Sequence, residues 1–163
     1  MSLSLSVVVT VYNEEDNIRP MVDKIKVDLA DIDYELVYVD DGSSDNTLQL
    51  LKEAMYDRLV VVSFRRNYGQ SAALMAGIEA AEGEFIATMD GDLQNDSADL
   101  PKMLKMAQTE QLDMVAGERV NRQDGVFLRK IPSWIANYII RTSSGVHLRD
   151  YGCAIRVMRA EIA

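Results

Sequence analysis

Two carboxylates separated by a glycine follow an apolar segment near the middle of the sequence. Asp90 and Asp92 come directly after residues 85–89, which are typical of a buried strand. Strand residues two apart face the same side, so both carboxylates are expected to point at one place. Gly91 is expected to let the backbone turn and to leave room for a bulky ligand. Because nearby carboxylates repel one another and hard oxygen ligands favour Mg²⁺ or Mn²⁺, the pair predicts a divalent-cation site, with a solvated Asp-Gly turn as the alternative.

Further acidic side chains follow two other apolar segments. Tyr12, Asn13 and Glu14 follow residues 4–11, and an Asp pair follows residues 34–39. Ligands of open α/β sheets bind beyond the carboxyl ends of the strands, so all three clusters are expected in one cleft. An Asp of the pair can accept an N–H from a nucleobase, and Glu14 can bind base or ribose. The alternatives are a helix-capping turn for the pair and an exposed acid at a helix start for Glu14. The pair is Asp40 and Asp41.

Several common types of site are excluded by residue counts. His147 is the only histidine, which excludes His-based zinc sites and Ser-His-Asp triads. No Walker or Rossmann glycine fingerprint occurs. Cys153 is the only cysteine, so there is no internal disulfide; it suits a reducing, cytosolic setting and is expected to pack in the core. The net charge of −9 disfavours a general nucleic-acid binder.

The elements that position these residues are predicted from apolar periodicity. Strands are expected at 4–11, 34–39, 59–64, 85–89 and 114–116, and helices at 15–30, 45–56, 71–81 and 99–110. This alternation favours an α/β fold with a mostly parallel central sheet and helices on both faces. After Gly117 the pattern loosens into arginine-rich loops around an amphipathic stretch that is either core or membrane-facing: Trp134, Ile135, Tyr138 and Ile139.

The 163 residues predict a single domain, 1–163, with the hydrophobic fraction (48%) and charged fraction (26%) of a soluble globular protein. The chain stops just after Met158, where a compact domain is expected to continue, so we expect truncation at the C-terminal end. No apolar run reaches the roughly 18 residues of a membrane-spanning helix. Residues 115–163 contain eight Lys or Arg and four Asp or Glu, whereas the rest is acidic. This asymmetry indicates cation binding in the first part and an anionic partner in the second.

Four segments resemble the motifs of family 2 glycosyltransferases, which have the GT-A fold. They occur in the family's order at residues 7–15, 39–47, 66–70 and 89–94. Their spacing is most similar to that of polyprenyl-phosphate glycosyltransferases, which include dolichol-phosphate mannose synthases. The segments 121–124, 127–130 and 150–156 most resemble undecaprenyl-phosphate formamido-arabinose transferases.

This resemblance implies inverting, metal-dependent transfer of a sugar from a nucleotide-sugar, with a UDP-sugar favoured. Mg²⁺ or Mn²⁺ is expected on Asp90, Asp92 and Gln94, beside the donor diphosphate. The donor site is expected to comprise Tyr12, Glu14, Asp40, Asp41, Gly69 and Gln70. Gly91 stands where relatives often have Ala, which is expected to be a mild change. Residues 95–97 replace a frequent Pro-Pro pair, which predicts a looser helix start.

The acceptor implied by the resemblance is a polyprenyl phosphate. Its phosphate oxygen is already ionised at neutral pH and needs no general base, but it needs cationic positioning beside an anionic donor. We expect Arg119, Arg122 and Arg129 to bind the acceptor phosphate, and Arg156 to lie near the diphosphate. Asp150 is the candidate base or orienting residue. The alternatives are a glycan hydroxyl acceptor, which needs such a base, and a non-catalytic nucleotide-sugar-binding module.

The cellular setting follows from the same resemblance. We expect the protein at the cytoplasmic face of a membrane, with membrane contact made by parts of the full-length protein outside this segment. A homo-oligomer is compatible with the sequence, and no nucleic-acid partner is expected.

Overall fold

A six-stranded sheet forms the centre of the protein. The computed structural model describes residues 3–118 and 153–163. The strands are β1 Leu5–Val11, β2 Tyr34–Asp40, β3 Leu59–Ser63, β4 Phe85–Asp90, β5 Met114–Ala116 and β6 Arg156–Arg159. The helices are α1 Glu15–Asp28, α2 Thr47–Glu53, α3 Gln70–Ala80 and α4 Leu100–Thr109, with short 3₁₀ helices at Ser97–Asp99 and Ala160–Ile162.

The strand order is β3-β2-β1-β4-β6-β5. Strand β1 pairs in parallel with both β2 and β4, and β2 pairs in parallel with β3. From β1 the chain builds the sheet in one direction through β2 and β3, and then crosses to the other side of β1 to form β4. The carboxyl ends of β1 and β4 therefore border a topological switch point, where open α/β sheets bind their ligands.

Both faces of the sheet are covered. Helix α3 places Ala73 against Val8 and Val39 on one face. Val9 and Tyr38 face the opposite way along the same strands and are fully buried as well. Strands buried on both faces have largely apolar sequences, and β1 and β2 have continuous apolar centres at residues 7–9 and 36–39. The expected α/β architecture with a mostly parallel sheet is confirmed.

Strand β6 was not predicted from the sequence, which favoured loops after residue 117. It pairs antiparallel with β4, with Arg156 opposite Thr88 and Arg159 opposite Phe85. In this strand only Val157 is buried. Four residues with two arginines give no strand-like apolar run, so the pairing depends on the exposed edge that β4 offers. The sheet is thus mixed at this end.

The segment after the carboxylate pair is joined to α1 by a charged cluster. Lys24 forms ion pairs of 2.9 Å with both Asp28 and Asp96. Asp96 also accepts the Ala98 N–H, and the Ser97 hydroxyl donates to Asp28. Hydrogen bonds from Lys24 and from the Ala98 N–H lower the pKa of Asp96. Its contribution to stability is therefore present above the unfolded-state pKa and is lost as pH falls through the folded-state value. These contacts fix the segment that leads into α4, whereas the sequence predicted a looser start for this helix.

Two compact units divide the chain: Met1–Val115 with Ala154–Ala163, and Ala116–Cys153. Of the second unit the structure describes only Ala116–Glu118 and Cys153. Cys153 is buried and unpaired, as expected for a packing residue. Within residues 3–118 and 153–163, no helix has both the length and the apolar character to cross a membrane.

Candidate functional site

A cavity of about 330 Å³ opens at the carboxyl ends of β1, β2 and β4. Its described lining contains four carboxylates and no Lys, Arg or His side chain. The carboxylates come from the three clusters that the sequence placed at strand ends, so the structure brings those clusters together. The lining residues are Thr10, Val11, Tyr12, Glu14, Asp41, Asn67, Gly69, Gln70, Ala73, Asp90, Gly91 and Asp92.

The Asp90 and Asp92 side chains are each oriented by a hydrogen bond. Asp90 ends β4, and the Gln70 Nε2 donates to its Oδ1 over 2.7 Å. The Asp92 Oδ1 accepts the Gln94 N–H over 3.0 Å, across Leu93, whose φ of 59° lies in the left-handed region. That conformation is uncommon for leucine and is typical of tight turns at functional sites. Gln70 therefore holds the Asp90 carboxylate at the cavity, and the turn holds that of Asp92.

Asp41 and its neighbour Asp40 have different surroundings. The Asp41 carboxylate lines the cavity and accepts the N–H groups of Tyr68 (2.7 Å) and Gly69 (2.9 Å). Asp40 is buried beneath it and accepts hydrogen bonds from the Ser43 N–H and the Ser63 hydroxyl. Asp40 does not line the cavity. Its hydrogen bond with the Ser43 N–H instead stabilises the turn at residues 40–43.

The loop that contains Tyr12 and Glu14 is joined to the start of α2 by reciprocal hydrogen bonds. Three backbone N–H groups of residues 13–15 donate to side chains of residues 43–47: Asn13 to Ser43, Glu14 to Thr47 and Glu15 to Asp45. In return, the N–H groups of Ser44 and Asn46 donate to the side chains of Asn13 and Glu15. Residues 43–47 of the 39–47 motif therefore position the loop of the 7–15 motif.

Asp45 is central to this junction. Burial opposes its ionisation, but hydrogen bonds from the Thr47 hydroxyl and N–H and from the Glu15 N–H outweigh burial and lower the pKa of Asp45. Because Asp45 and Asn46 form the junction itself, α2 begins at Thr47 rather than at residue 45.

The remaining expected site residues lie elsewhere. Gln94 follows the cavity turn but does not line the cavity. Arg156 lies on β6 opposite Thr88, two residues before Asp90 in the β4 register, and is also outside the lining. The residues expected to bind or activate the acceptor lie outside the described residues: Arg119, Arg122, Arg129 and Asp150.

Four lining residues were not named as site residues from the sequence. Asn67 belongs to the 66–70 motif, so the motif could have indicated that Asn67 lies at the site. Ala73 lies one turn into α3 from Gln70, which a helical periodicity could have indicated. Thr10 and Val11 adjoin the expected residues along the chain.

Gly91 has a different role from the one expected. A Cβ atom at this position would lie 2.3 Å from the Cγ1 of Val11, so the missing side chain makes room for β1 rather than for a ligand. Its φ is not in the left-handed region. Exchange for Ala is consequently not a mild change unless Val11 also shrinks.

We expect Gly91→Ala to lower the free energy of unfolding by about 1–3 kcal/mol, the usual cost of overpacking. Because the collision is with Val11, adding Val11→Ala should recover part of that loss, so the double variant is more stable than the sum of the single changes implies. Urea unfolding of the three variants measures this coupling. Strictly additive losses would contradict the proposed collision.

The donor atoms in the cavity fit a hard divalent cation. Among residues 3–118 and 153–163, no three His, Cys, Asp or Glu side chains converge closely enough to hold a metal alone. Mg²⁺-type sites often have only one or two carboxylates and complete their coordination with substrate phosphates and water. Asp90 and Asp92 fit that pattern, since a cation between them and an anionic phosphate would offset the repulsion from the carboxylates of the cavity.

Residues 6–163 match glycosyl transferase family 2, so the chain belongs to this family. It is 47% identical over 166 residues to the dodecaprenyl-phosphate galacturonate synthase of Rhizobium johnstonii, covering 99% of this chain and 49% of that protein. It is 40% identical to the undecaprenyl-phosphate 4-deoxy-4-formamido-L-arabinose transferase of Pectobacterium carotovorum, covering 98% and 50%. The chain therefore spans about half the length of these curated relatives, which are both polyprenyl-phosphate sugar transferases by name.

Solved structures share the fold. The glucosyl-3-phosphoglycerate synthase of Mycobacterium tuberculosis, crystallised with Mn²⁺, UDP and phosphoglyceric acid, superimposes with a TM-score of 0.77. The sequence identity is 20%, and the match covers 98% of this chain and 56% of the synthase. This likeness confirms the GT-A fold expected from the four motifs.

Proposed function

We propose that the protein of which this chain is a part transfers a sugar from a nucleotide-sugar to a polyprenyl phosphate, with inversion and with the aid of Mg²⁺ or Mn²⁺. The observation behind this is the cavity at the switch point, where the described lining presents four carboxylates and no cationic side chain. These carboxylates repel a nucleotide diphosphate, and a divalent cation between them would remove that repulsion. The names of the two relatives supply the acceptor class.

The part of the site proposed to bind the nucleotide-sugar donor, the donor half, has a nucleoside end and a diphosphate end. Tyr12, Glu14 and Asp41 lie at the first, where an exposed aromatic ring and carboxylates suit a base and a ribose. Asp90 and Asp92 lie at the second. A UDP-sugar is favoured, and the structurally similar synthase of Mycobacterium tuberculosis was crystallised with UDP.

The described residues orient the leaving group rather than exchange protons with it. Asp90 and Asp92 would hold the cation, which supplies charge stabilisation to the departing diphosphate. Gln70 and the Gln94 N–H fix the two carboxylates. Gln94 itself is proposed to complete the surroundings of the cation from just outside the cavity.

The acceptor half is proposed for the basic part of the chain. Arg119, Arg122 and Arg129 would bind the phosphate of the polyprenyl chain, and Arg156 would lie near the diphosphate. Because a phosphate attacks without deprotonation, Asp150 is needed only to orient it; a hydroxyl acceptor would require Asp150 as a base. The reaction is placed at the cytoplasmic face of a membrane, where a polyprenyl phosphate can be reached.

A nucleotide screen tests the donor half. We expect UDP or a UDP-sugar with Mn²⁺ to raise the melting temperature more than GDP does. Saturation at about 100 times Kd adds about 2.7 kcal/mol, or roughly 5–10 °C for a protein of this size. The measurement is differential scanning fluorimetry with and without Mn²⁺. Absence of a Mn²⁺-dependent shift with any nucleotide would overturn the proposed function.

A further inference from the structure

The backbone from Tyr68 to Gln70 connects the two ends of the cavity. At one end the Asp41 carboxylate accepts the N–H groups of Tyr68 and Gly69 over 2.7 and 2.9 Å. At the other end the Gln70 Nε2 donates to Asp90 over 2.7 Å. Residues 68 and 69 are therefore hydrogen-bonded to a carboxylate at the nucleoside end, and the next residue, Gln70, is hydrogen-bonded to a carboxylate at the cation end.

The start of α3 fixes the backbone of this connection in place. Gln70 is the first residue of α3, and the Gly69 carbonyl accepts the N–H groups of Ala72 and Ala73. Ala73 is itself buried against the sheet. Because the helix start is fixed by packing, the backbone of Gln70 is held within reach of Asp90, and its position depends on the loop that Asp41 holds.

We propose that Gln70 is a positioning residue of the cation site, which orients the Asp90 carboxylate, and that Asp41 acts on the same carboxylate through residues 68–70. This inference rests on the proposed function, because it takes Asp90 as a cation ligand. It assigns Gln70 a task other than direct contact with the donor. It also assigns Asp41 an influence on cation binding, although Asp41 contacts no expected cation ligand directly.

Metal-ligating carboxylates are commonly oriented by hydrogen bonds from neighbouring groups, and loss of such a partner weakens metal binding by about 10–100-fold. The Gln70 amide is suited to this task because it is neutral. It can hold a carboxylate without competing for its charge, as a Lys or Arg in the same place would.

The test compares Gln70→Met with Gln49→Met. Methionine keeps the length of the side chain but cannot donate from its end. Gln49 is the matched control, because its Nε2 also donates to a carboxylate, that of Glu53 on the surface of α2, away from the cavity. Free Mn²⁺ is followed by electron paramagnetic resonance during titration of each protein at saturating UDP, and uridine binding without metal is followed by NMR.

We expect Gln70→Met to weaken Mn²⁺ binding by about 10-fold or more, while its uridine affinity and melting temperature stay those of the unsubstituted protein. Gln49→Met should change neither affinity. Asp41→Asn, measured at a UDP concentration that again saturates the protein, should also weaken Mn²⁺ binding. Unchanged Mn²⁺ binding in Gln70→Met, or an equal loss of uridine binding, would overturn the inference. Absence of Mn²⁺ binding by the unsubstituted protein with UDP would instead overturn the proposed function.

Discussion

Replacing Asp92 with Asn is expected to abolish the Mn²⁺-dependent binding of a nucleotide diphosphate. The exchange removes one of the two charges available to the cation. It leaves an oxygen that can still accept the Gln94 N–H, so the turn should keep its shape. Loss of a charged ligand costs several kcal/mol, so the affinity for UDP with Mn²⁺ should fall by at least about 100-fold in calorimetry.

Asp99→Asn is the matched control for this change. Asp99 is exposed, lies outside the cavity lining and makes no side-chain capping hydrogen bond at the start of α4. The control removes the same charge from nearby and should leave nucleotide affinity unchanged. If Asp92→Asn bound UDP with Mn²⁺ as well as the control, Asp92 would not be a ligand of the cation.

Replacing Gly42, the residue after Asp41, with Ala is expected to lower stability more than Gly69→Ala or Gly91→Ala does. Gly42 has a φ of +71°, and an added Cβ would lie 2.3 Å from the carbonyl carbon of Arg66. Left-handed backbone costs about 1–2 kcal/mol for alanine, and overpacking against backbone about 1–3 kcal/mol more. The melting temperature should therefore fall by roughly 10 °C.

Gly69→Ala separates these two causes. Gly69 has a φ of +94°, but no atom lies within 4 Å of an added Cβ. Its substitution should cost only the conformational strain, about 1–3 kcal/mol. Chemical denaturation of both variants gives the two free energies of unfolding. A Gly42→Ala loss of only about 1–2 kcal/mol, the conformational strain alone, would show that the contact with Arg66 is unimportant.

Much of the fold could be predicted because its strands have simple sequence patterns. Residues 7–9 and 36–39 are apolar runs that suit a sheet covered on both faces, and the helices between the strands show regular spacing. Strand β6 lacks such a pattern: it exists because β4 offers it an unpaired edge. Pairing between segments far apart in the chain is a tertiary property that local periodicity does not contain.

The site could be predicted to the level of its clusters, but not to the level of each atom. Polar residues at the ends of parallel strands must meet, which is why Glu14, Asp41 and Asp90 could be expected in one cavity. The difference between Asp40 and Asp41 depends on which neighbour faces inward and on which N–H groups are nearby. Those details are decided by side-chain contacts across 20 to 30 residues of chain, as in the bond from Gln70 to Asp90.

Strands β5 and β6 are neighbours in the sheet, although residues 117–155 separate them in the chain. The Arg159 N–H donates to the Asp113 carbonyl over 3.0 Å, so both ends of the intervening segment are fixed side by side. The entropic cost of closing a loop rises by only about 0.6 kcal/mol for each doubling of the loop's length. In evolutionary terms, the length of this segment can therefore change among descendants at a small cost in closure entropy, while β4 continues to present Asp90 and Asp92.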